Sequence, residues 1–170
     1  AYYEIWIDDE KIADKNEEVD PLYQDRYLPR KFKIGIGIPP NNEVDVLIND
    51  LALIAIIEED KLKGFNIAIG GGLSATHGNA ETYPRLATVL GFADTEDKVL
   101  IYEVVTVQRD FGNRSDRKLA RLKYTVDKMG IEKYKDEVEK RTGFKLEPPR
   151  PFTFNERKDY YGWHKSTNGL

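Results

Sequence analysis

Cysteine is missing from all 170 residues of this chain. By itself the chain therefore forms no disulfide, no thiolate zinc site and no thiolate-held iron–sulfur cluster. Histidine is almost as scarce: His77 and His164 are the two present. They are too far apart to form a metal pair on one helix, and no hydrolase triad assembles around them. No metal ligand is assigned. No apolar run has the length of a membrane span, and no charged-then-apolar leader opens the sequence. The phosphate-binding patterns G-x-x-x-x-G-K-S/T and G-x-G-x-x-G are absent as well. These absences argue against a membrane partner, and the lack of disulfides favours a cytoplasmic location.

What is present suits one globular domain with a proper core: 33% charged and 40% hydrophobic residues. The pattern opens inside a strand, Tyr2 to Ile7, and stops inside an element that begins near Tyr160, so the chain reads as a piece of a larger protein. The net charge of −4 hides an asymmetry. Residues 1–26 carry nine acids and three bases, whereas residues 109–128 carry seven bases and three acids. Such segregation points to a local anion site rather than to a nucleic-acid-binding surface.

The most informative stretch is Tyr27-Leu28-Pro29-Arg30-Lys31-Phe32-Lys33-Ile34-Gly35-Ile36-Gly37-Ile38. Strand side chains alternate, so Phe32, Ile34, Ile36 and Ile38 share one face, expected to enter a core. Lys31, Lys33, Gly35 and Gly37 share the other. Lysines flanked by bare backbone suit a large, flat, anionic ligand. An edge strand whose lysines deter aggregation is the competing reading. The strand ends at Pro39-Pro40, and a short helical turn is expected around Val44–Asn49. Leu51–Ile57 reads as a buried strand, Glu58–Lys61 as a hairpin and Gly64–Ile69 as a further strand running into Gly70-Gly71-Gly72. A glycine run after a strand is a place where backbone N–H groups cradle anions.

Beyond it the pattern predicts helices. Glu81–Leu90 forms a short one stopped by Gly91, and Thr95 caps another that runs through Gln108. Ser115 caps a third, with Asp116 in its first turn. In that helix Leu119, Leu122, Val126 and Met129 form a buried stripe, and Arg114, Arg117 and Arg121 share another face as an anion clamp. Arg109 and Asn113 approach from the preceding turn. A solvated basic face is the alternative. His77 sits in a loop, where a structural hydrogen bond outweighs ligand contact. Ile131–Arg141 is a surface helix closed by Gly143. Residues 147–154 read as a proline-rich linker, so the organisation is one domain over 1–146, then 147–170 as linker and truncated start of the next.

The segment 27–33, Gly64-Phe65-Asn66-Ile67-Ala68-Ile69-Gly70-Gly71-Gly72, His77-Gly78-Asn79, and 108–117 through Lys123-Tyr124-Thr125 together resemble the assimilatory sulfite reductase haemoprotein. Their order matches its middle, sirohaem-facing region, within the nitrite/sulfite reductase superfamily. The resemblance implies an α+β fold: a mixed sheet with helices packed on one face and the cofactor on the other. It implies six-electron reduction of sulfite to sulfide in sulfur assimilation, with sirohaem and a 4Fe-4S cluster in the full-length parent. Lys31 and Lys33 would bind the sulfur oxyanion. Arg114, Arg117, Lys118, Arg121 and Lys123 would hold the macrocycle's carboxylates, with Arg30, Gly70, Gly71, Gly72, His77, Arg109 and Asn113 close to the same cofactor. The family's cluster cysteines are absent, so this chain alone is expected to bind neither cofactor and to be colourless and inactive. The implied partners are sulfite and an electron donor, either a flavoprotein subunit or ferredoxin, without nucleic acid. A nitrite reductase of the same superfamily and a non-catalytic anion- or RNA-binding module are the alternatives.

Overall fold

The structure, a computed structural model, describes residues 4–14, 20–97, 99–159, 161–163 and 165, apart from the side chains of Glu4 and Asp14. Sequence readings that fall on Tyr2, Tyr160 and His164 lie outside the described residues.

A hairpin of β1 (Glu4–Ile7) and β2 (Glu10–Asp14) turns through Asp8 and Asp9, both left-handed. The main sheet holds β3 (Ile34–Gly37), β4 (Leu51–Glu58), β5 (Lys61–Ile69) and β6 (Thr88–Asp94), in that spatial order. β3 runs parallel to β4 and the other pairs are antiparallel, so the sheet is mixed. Glu59 and Asp60 turn β4 into β5 with both residues left-handed, as a two-residue hairpin requires. The helices are α1 (Val99–Phe111), α2 (Leu122–Met129) and α3 (Ile131–Thr142), the last closed by left-handed Gly143 as expected. None among the described residues is long and apolar enough to cross a membrane.

Leu51, Leu53, Ile67 and Ile69 face the helices and meet Leu100, Val104, Val107, Leu122, Val126, Tyr134 and Val138. Ala52, Ile54 and Ala68 face the other way, where Val46, Leu47, Phe152 and Phe154 cover them. Burial on both faces explains why β4 is an unbroken apolar run. The second face is thus closed by the chain itself, by the short 3-10 turn Val46–Ile48 and by the 147–156 segment, and its centre is not free for a cofactor. That segment is extended, as its prolines demand, but it is a strap rather than a free tether. Glu147 pairs with Phe92, Asn66 exchanges hydrogen bonds with the backbone of Arg150 (2.7 and 2.9 Å), and Glu156 pairs with Asn41.

Three further expectations are corrected. Residues 81–90 form no helix, because 88–94 pair with β5 as a strand. Gly91 there is a site of close approach: a Cβ would lie 2.6 Å from the Glu147 carbonyl oxygen. The helix expected from Ser115 breaks into a 3-10 turn, Arg117–Leu119, and α2. Its cap is Asp116, which accepts from the Lys118 N–H at 2.8 Å, while Ser115 N–H is taken by Asn113 Oδ1. The break leaves Leu122 and Val126 buried but puts Arg114, Arg117 and Arg121 on no common stripe.

In β3 the alternation is right and the burial is reversed. Ile34 and Ile36 pair with Leu51 and Leu53 and so share the helix-side face. β3 is the sheet edge, however, and the helices do not reach it. Ile34, Ile36 and Ile38 are 49%, 54% and 56% exposed, and only Phe32 packs on the core. Gly35 and Gly37 are the packed residues. A Cβ at Gly35 would meet Asn49 Nδ2 at 2.4 Å, and one at Gly37 would meet Val46 at 3.0 Å and Phe154 at 3.1 Å.

Candidate functional site

Asp50 stands immediately before the buried strand β4 and is fully buried. Its Oδ1 accepts from Arg121 Nη2 (2.9 Å) and Nε (3.3 Å), and its Oδ2 accepts from the backbone N–H of Lys33 (2.9 Å). Its carbonyl oxygen accepts from Gly70 N–H at 2.8 Å. One carboxylate therefore joins three segments that are far apart in sequence: the lysine pair, the glycine run and the arginine before α2. The residues 30–33 are the lead-in to β3 rather than part of it, and Lys33 is anchored again where its carbonyl accepts from Leu51 N–H (3.0 Å).

A second joint ties the same lead-in to the end of α1. Arg114 Nη2 donates to the carbonyls of Tyr27 and Arg109, both at 2.8 Å, and a Cβ at Gly112 would lie 2.5 Å from Pro29 Cγ. Asn113 Oδ1 accepts from Ser115 and Asp116 N–H (2.9 and 3.1 Å), which turns the chain towards Arg117 and Lys118. Residues 27–29 thus lie against residues 109–114, and the cations at 30–33 and 117–118 follow directly on these two joined segments.

The candidate cations divide into two groups. Arg109, Arg121 and Lys123 spend their donors inside the protein, and Arg114, itself exposed, commits its Nη2 to the two backbone carbonyls. Arg109 forks onto Asp110 (2.7 and 3.1 Å) and holds the Leu22 carbonyl (2.8 Å). Lys123 is fully buried and donates to the carbonyls of Gly72 (3.1 Å), Ser74 (2.7 Å) and Tyr83. Burial first, and the nearby Arg121 second, hold its pKa below the ordinary lysine value. Arg30, Lys31, Lys33, Arg117 and Lys118 form the other group. Among the described residues their side chains have no hydrogen bond or ion pair, Lys31, Arg117 and Lys118 are exposed, and Arg30 and Lys33 are half-buried.

The glycine run is no open anion cradle. The N–H groups of Gly70, Gly71 and Gly72 go to the carbonyls of Asp50, Asn49 and Arg85. A Cβ at Gly71 would lie 2.3 Å from the Leu47 carbonyl oxygen, and one at Gly72 would strike the Arg121 guanidinium at 2.7 Å. These glycines let the protein pack on itself. His77 lies exposed in the loop that follows. Asp50 escaped sequence reasoning, although an aspartate leading into an all-apolar strand must find a buried cation. Arg85 escaped it too, inside the stretch misread as a helix. Arg85 clamps the carbonyls of Ile69 and Gly70 (3.1 and 3.0 Å) and pairs with Asp127 (3.0 Å).

Among the described residues no group of three or more His, Asp or Glu side chains could hold a metal ion. The donor set here suits an anion: free ammonium and guanidinium groups on two adjoining segments. It offers no thiolate to an iron–sulfur cluster.

Comparison with known proteins adds the following. Residues 1–146 match the family described as "Nitrite and sulphite reductase 4Fe-4S domain". The chain is 59% identical over 170 residues to the sulfite reductase (NADPH) hemoprotein beta-component of Leptospira biflexa, covering 99% of this chain and 31% of that protein. To the protein of the same name from Geobacillus thermodenitrificans it is 54% identical over 173 residues, covering 99% and 30%. The solved structure of the Mycobacterium tuberculosis NirA protein superposes with a TM-score of 0.69 at 30% identity, covering 88% of this chain and 26% of that one. The chain thus spans about a third of the length of the curated relatives it matches.

Proposed function

Since the chain belongs to the nitrite and sulphite reductase 4Fe-4S domain family, we propose that it forms the oxyanion-facing part of a sulfite reductase haemoprotein, the parent that reduces sulfite to sulfide with six electrons. The observation that carries this reading is the division of the cations. Five candidate cations are left without an internal partner, and they sit on two segments that Arg114 and Gly112 hold together. Relatives at 59% and 52% identity that are named for sulfite favour sulfite over nitrite as substrate. The NADPH in those names favours a flavoprotein subunit over ferredoxin as electron donor.

When bound in the parent, sirohaem and the 4Fe-4S cluster supply the electrons of the reaction. Everything else falls to this chain's own groups. Lys31 and Lys33 bind the sulfur oxyanion and offset its charge, and each offers an N–H donor at Nζ to an oxygen of the anion. Arg30, Arg117 and Lys118 bind the carboxylates of the macrocycle, with guanidinium groups suited to paired contacts. Arg114 and Asn113 hold these segments in place. Arg121 and Lys123 act from behind, with donors already committed to Asp50 and to backbone carbonyls. The parent works in the cytoplasm.

The test uses the full-length parent. Lys31→Ala is expected to retain sirohaem and to lose about a hundredfold in turnover with a chemical electron donor, the scale of losing one charge-stabilising donor. Arg117→Ala is expected to lower sirohaem content per chain instead. Full turnover in Lys31→Ala, or equal loss of cofactor in both variants, would overturn the assignment.

A further inference from the structure

We propose that Asp50 is the positioning residue of the oxyanion site: it fixes the backbone of Lys33 against the Arg121 guanidinium and so sets where Lys31 and Lys33 present their ammonium groups. The inference rests on the assignment of those lysines to sulfite.

Three observations carry it. Lys33 precedes β3, so the regular ladder does not hold its N–H. The acceptor is a side-chain oxygen, Asp50 Oδ2 at 2.9 Å. The Lys33 N–H is therefore placed by that carboxylate, beside the Leu51 N–H that holds the Lys33 carbonyl (3.0 Å), and Lys31 lies two residues up the same lead-in. Next, the carboxylate is itself immobilised. Arg121 holds Oδ1 through two nitrogens, and the same guanidinium donates to the Gly71 carbonyl (3.2 Å) and to Ser74 Oγ (3.3 Å). Gly72 carries no side chain to displace it, since a Cβ would lie 2.7 Å from Arg121 Nη1. The chain of contacts runs unbroken from the Gly71 carbonyl and the Ser74 hydroxyl to Lys33.

Finally, stability alone gives little reason for an ion pair here. A buried pair is often no better than two apolar side chains of similar volume, but apolar side chains could not accept the Lys33 N–H. The pair also suits an anionic substrate. An unpaired carboxylate one hydrogen bond from Lys33 would repel sulfite, and Arg121 cancels that charge at contact distance.

The test compares the full-length holoprotein with Asp50→Asn, the double variant Asp50→Leu/Arg121→Met, Lys31→Ala and Lys33→Ala. Sulfite is titrated against the sirohaem absorption band, and amide exchange at Lys33, thermal midpoint and cofactor content are recorded alongside. The double variant removes both charges, so no orphan charge unfolds it, and it serves if Asp50→Asn fails to fold. It is expected to fold and keep its cofactor, to melt a few degrees lower because the Lys33 N–H and the Gly71 carbonyl lose their partners, to exchange the Lys33 amide about tenfold faster, and to bind sulfite about tenfold more weakly. Wild-type sulfite affinity in the double variant would overturn the inference. Loss of fold or of cofactor in that variant would also overturn it, because the pair would then be structural. If Lys31→Ala and Lys33→Ala themselves bind sulfite like the wild type, the functional reading falls and the inference with it. Weak binding in the lysine variants beside normal binding in the double variant would sink the role of Asp50 alone.

Discussion

Lys123 directs its ammonium group inward, to the carbonyl oxygens of Gly72, Ser74 and Tyr83, with the Tyr124 ring 4.9 Å from it. Lys123→Met fills the space but leaves the Ser74 and Tyr83 carbonyls without a donor, while Gly72 keeps the Arg85 N–H (3.0 Å), at a cost of about 3 kcal/mol, to be read from urea denaturation. Burial lowers the pKa of this lysine from 10.5, so the unfolded chain holds more protons between the lowered value and 10.5. Its contribution to stability therefore rises with pH across that window and is lost as pH falls through the lowered value. Lys123→Met should flatten that rise. Tyr83 works in the opposite sense. Burial first, then its hydrogen bond to Asp127 (2.7 Å), push its pKa up from 10.0 to about 12. Its contribution is complete below pH 10 and is lost as pH climbs from 10 to 12. Tyr83→Phe is therefore expected to reduce the loss of stability over that interval, measured as urea midpoints at stepped pH.

At the scale of the element, β3 shows how much a pattern can reveal. Alternation assigns its two faces correctly, because the pleat leaves no other choice. It does not say which face is packed, and the usual equation of apolar with buried fails where the strand is an edge and no helix covers it. Gly35 and Gly37 are packed because Asn49, Val46 and Phe154 come close, and those contacts span up to 117 residues of sequence. Gly35→Ala must displace Asn49 from its bond to the Val46 carbonyl (3.0 Å), at a cost of about 1–3 kcal/mol. Ile36→Ser on the same strand should stay within about 0.5 kcal/mol, as exposed positions do. The two denaturation midpoints decide between this packing and its reverse. β6 was illegible for a related reason. Thr88–Asp94 has no clear period, and what makes it a strand is the open edge of β5 beside it. The strands β4 and β5 and the helix α3 were legible because their own residues settle them: a wholly apolar run, a two-residue hairpin, and a helix with a glycine stop. The lysine pair stood out in the sequence as bare charge beside bare backbone. Asp50, its partner through space, did not.

Across the whole molecule, a two-faced sheet needs two covers, and they come from different parts of the chain. Helices α1 to α3 cover one face. The other is closed by residues 46–48 together with Phe152 and Phe154 from the strap, whose far end reaches Asn41 at Glu156. Replacing Phe152 and Phe154 together by alanine is expected to cost about 3 kcal/mol, since both rings are only partly buried. Urea denaturation of that variant measures it. The strap also fixes an order in time. A ribosome releases this chain from its amino end, so the strap is the last of these parts to emerge. Until residues 147–156 follow, Ala52, Ile54 and Ala68 are covered on that side only by Val46, Leu47, Ala87 and Val89, and the nascent chain carries a greasy surface with an unpaired edge beside it. Newly made chains halted before residue 147 should therefore be held by chaperones, whereas chains halted well past residue 156 should be released from them.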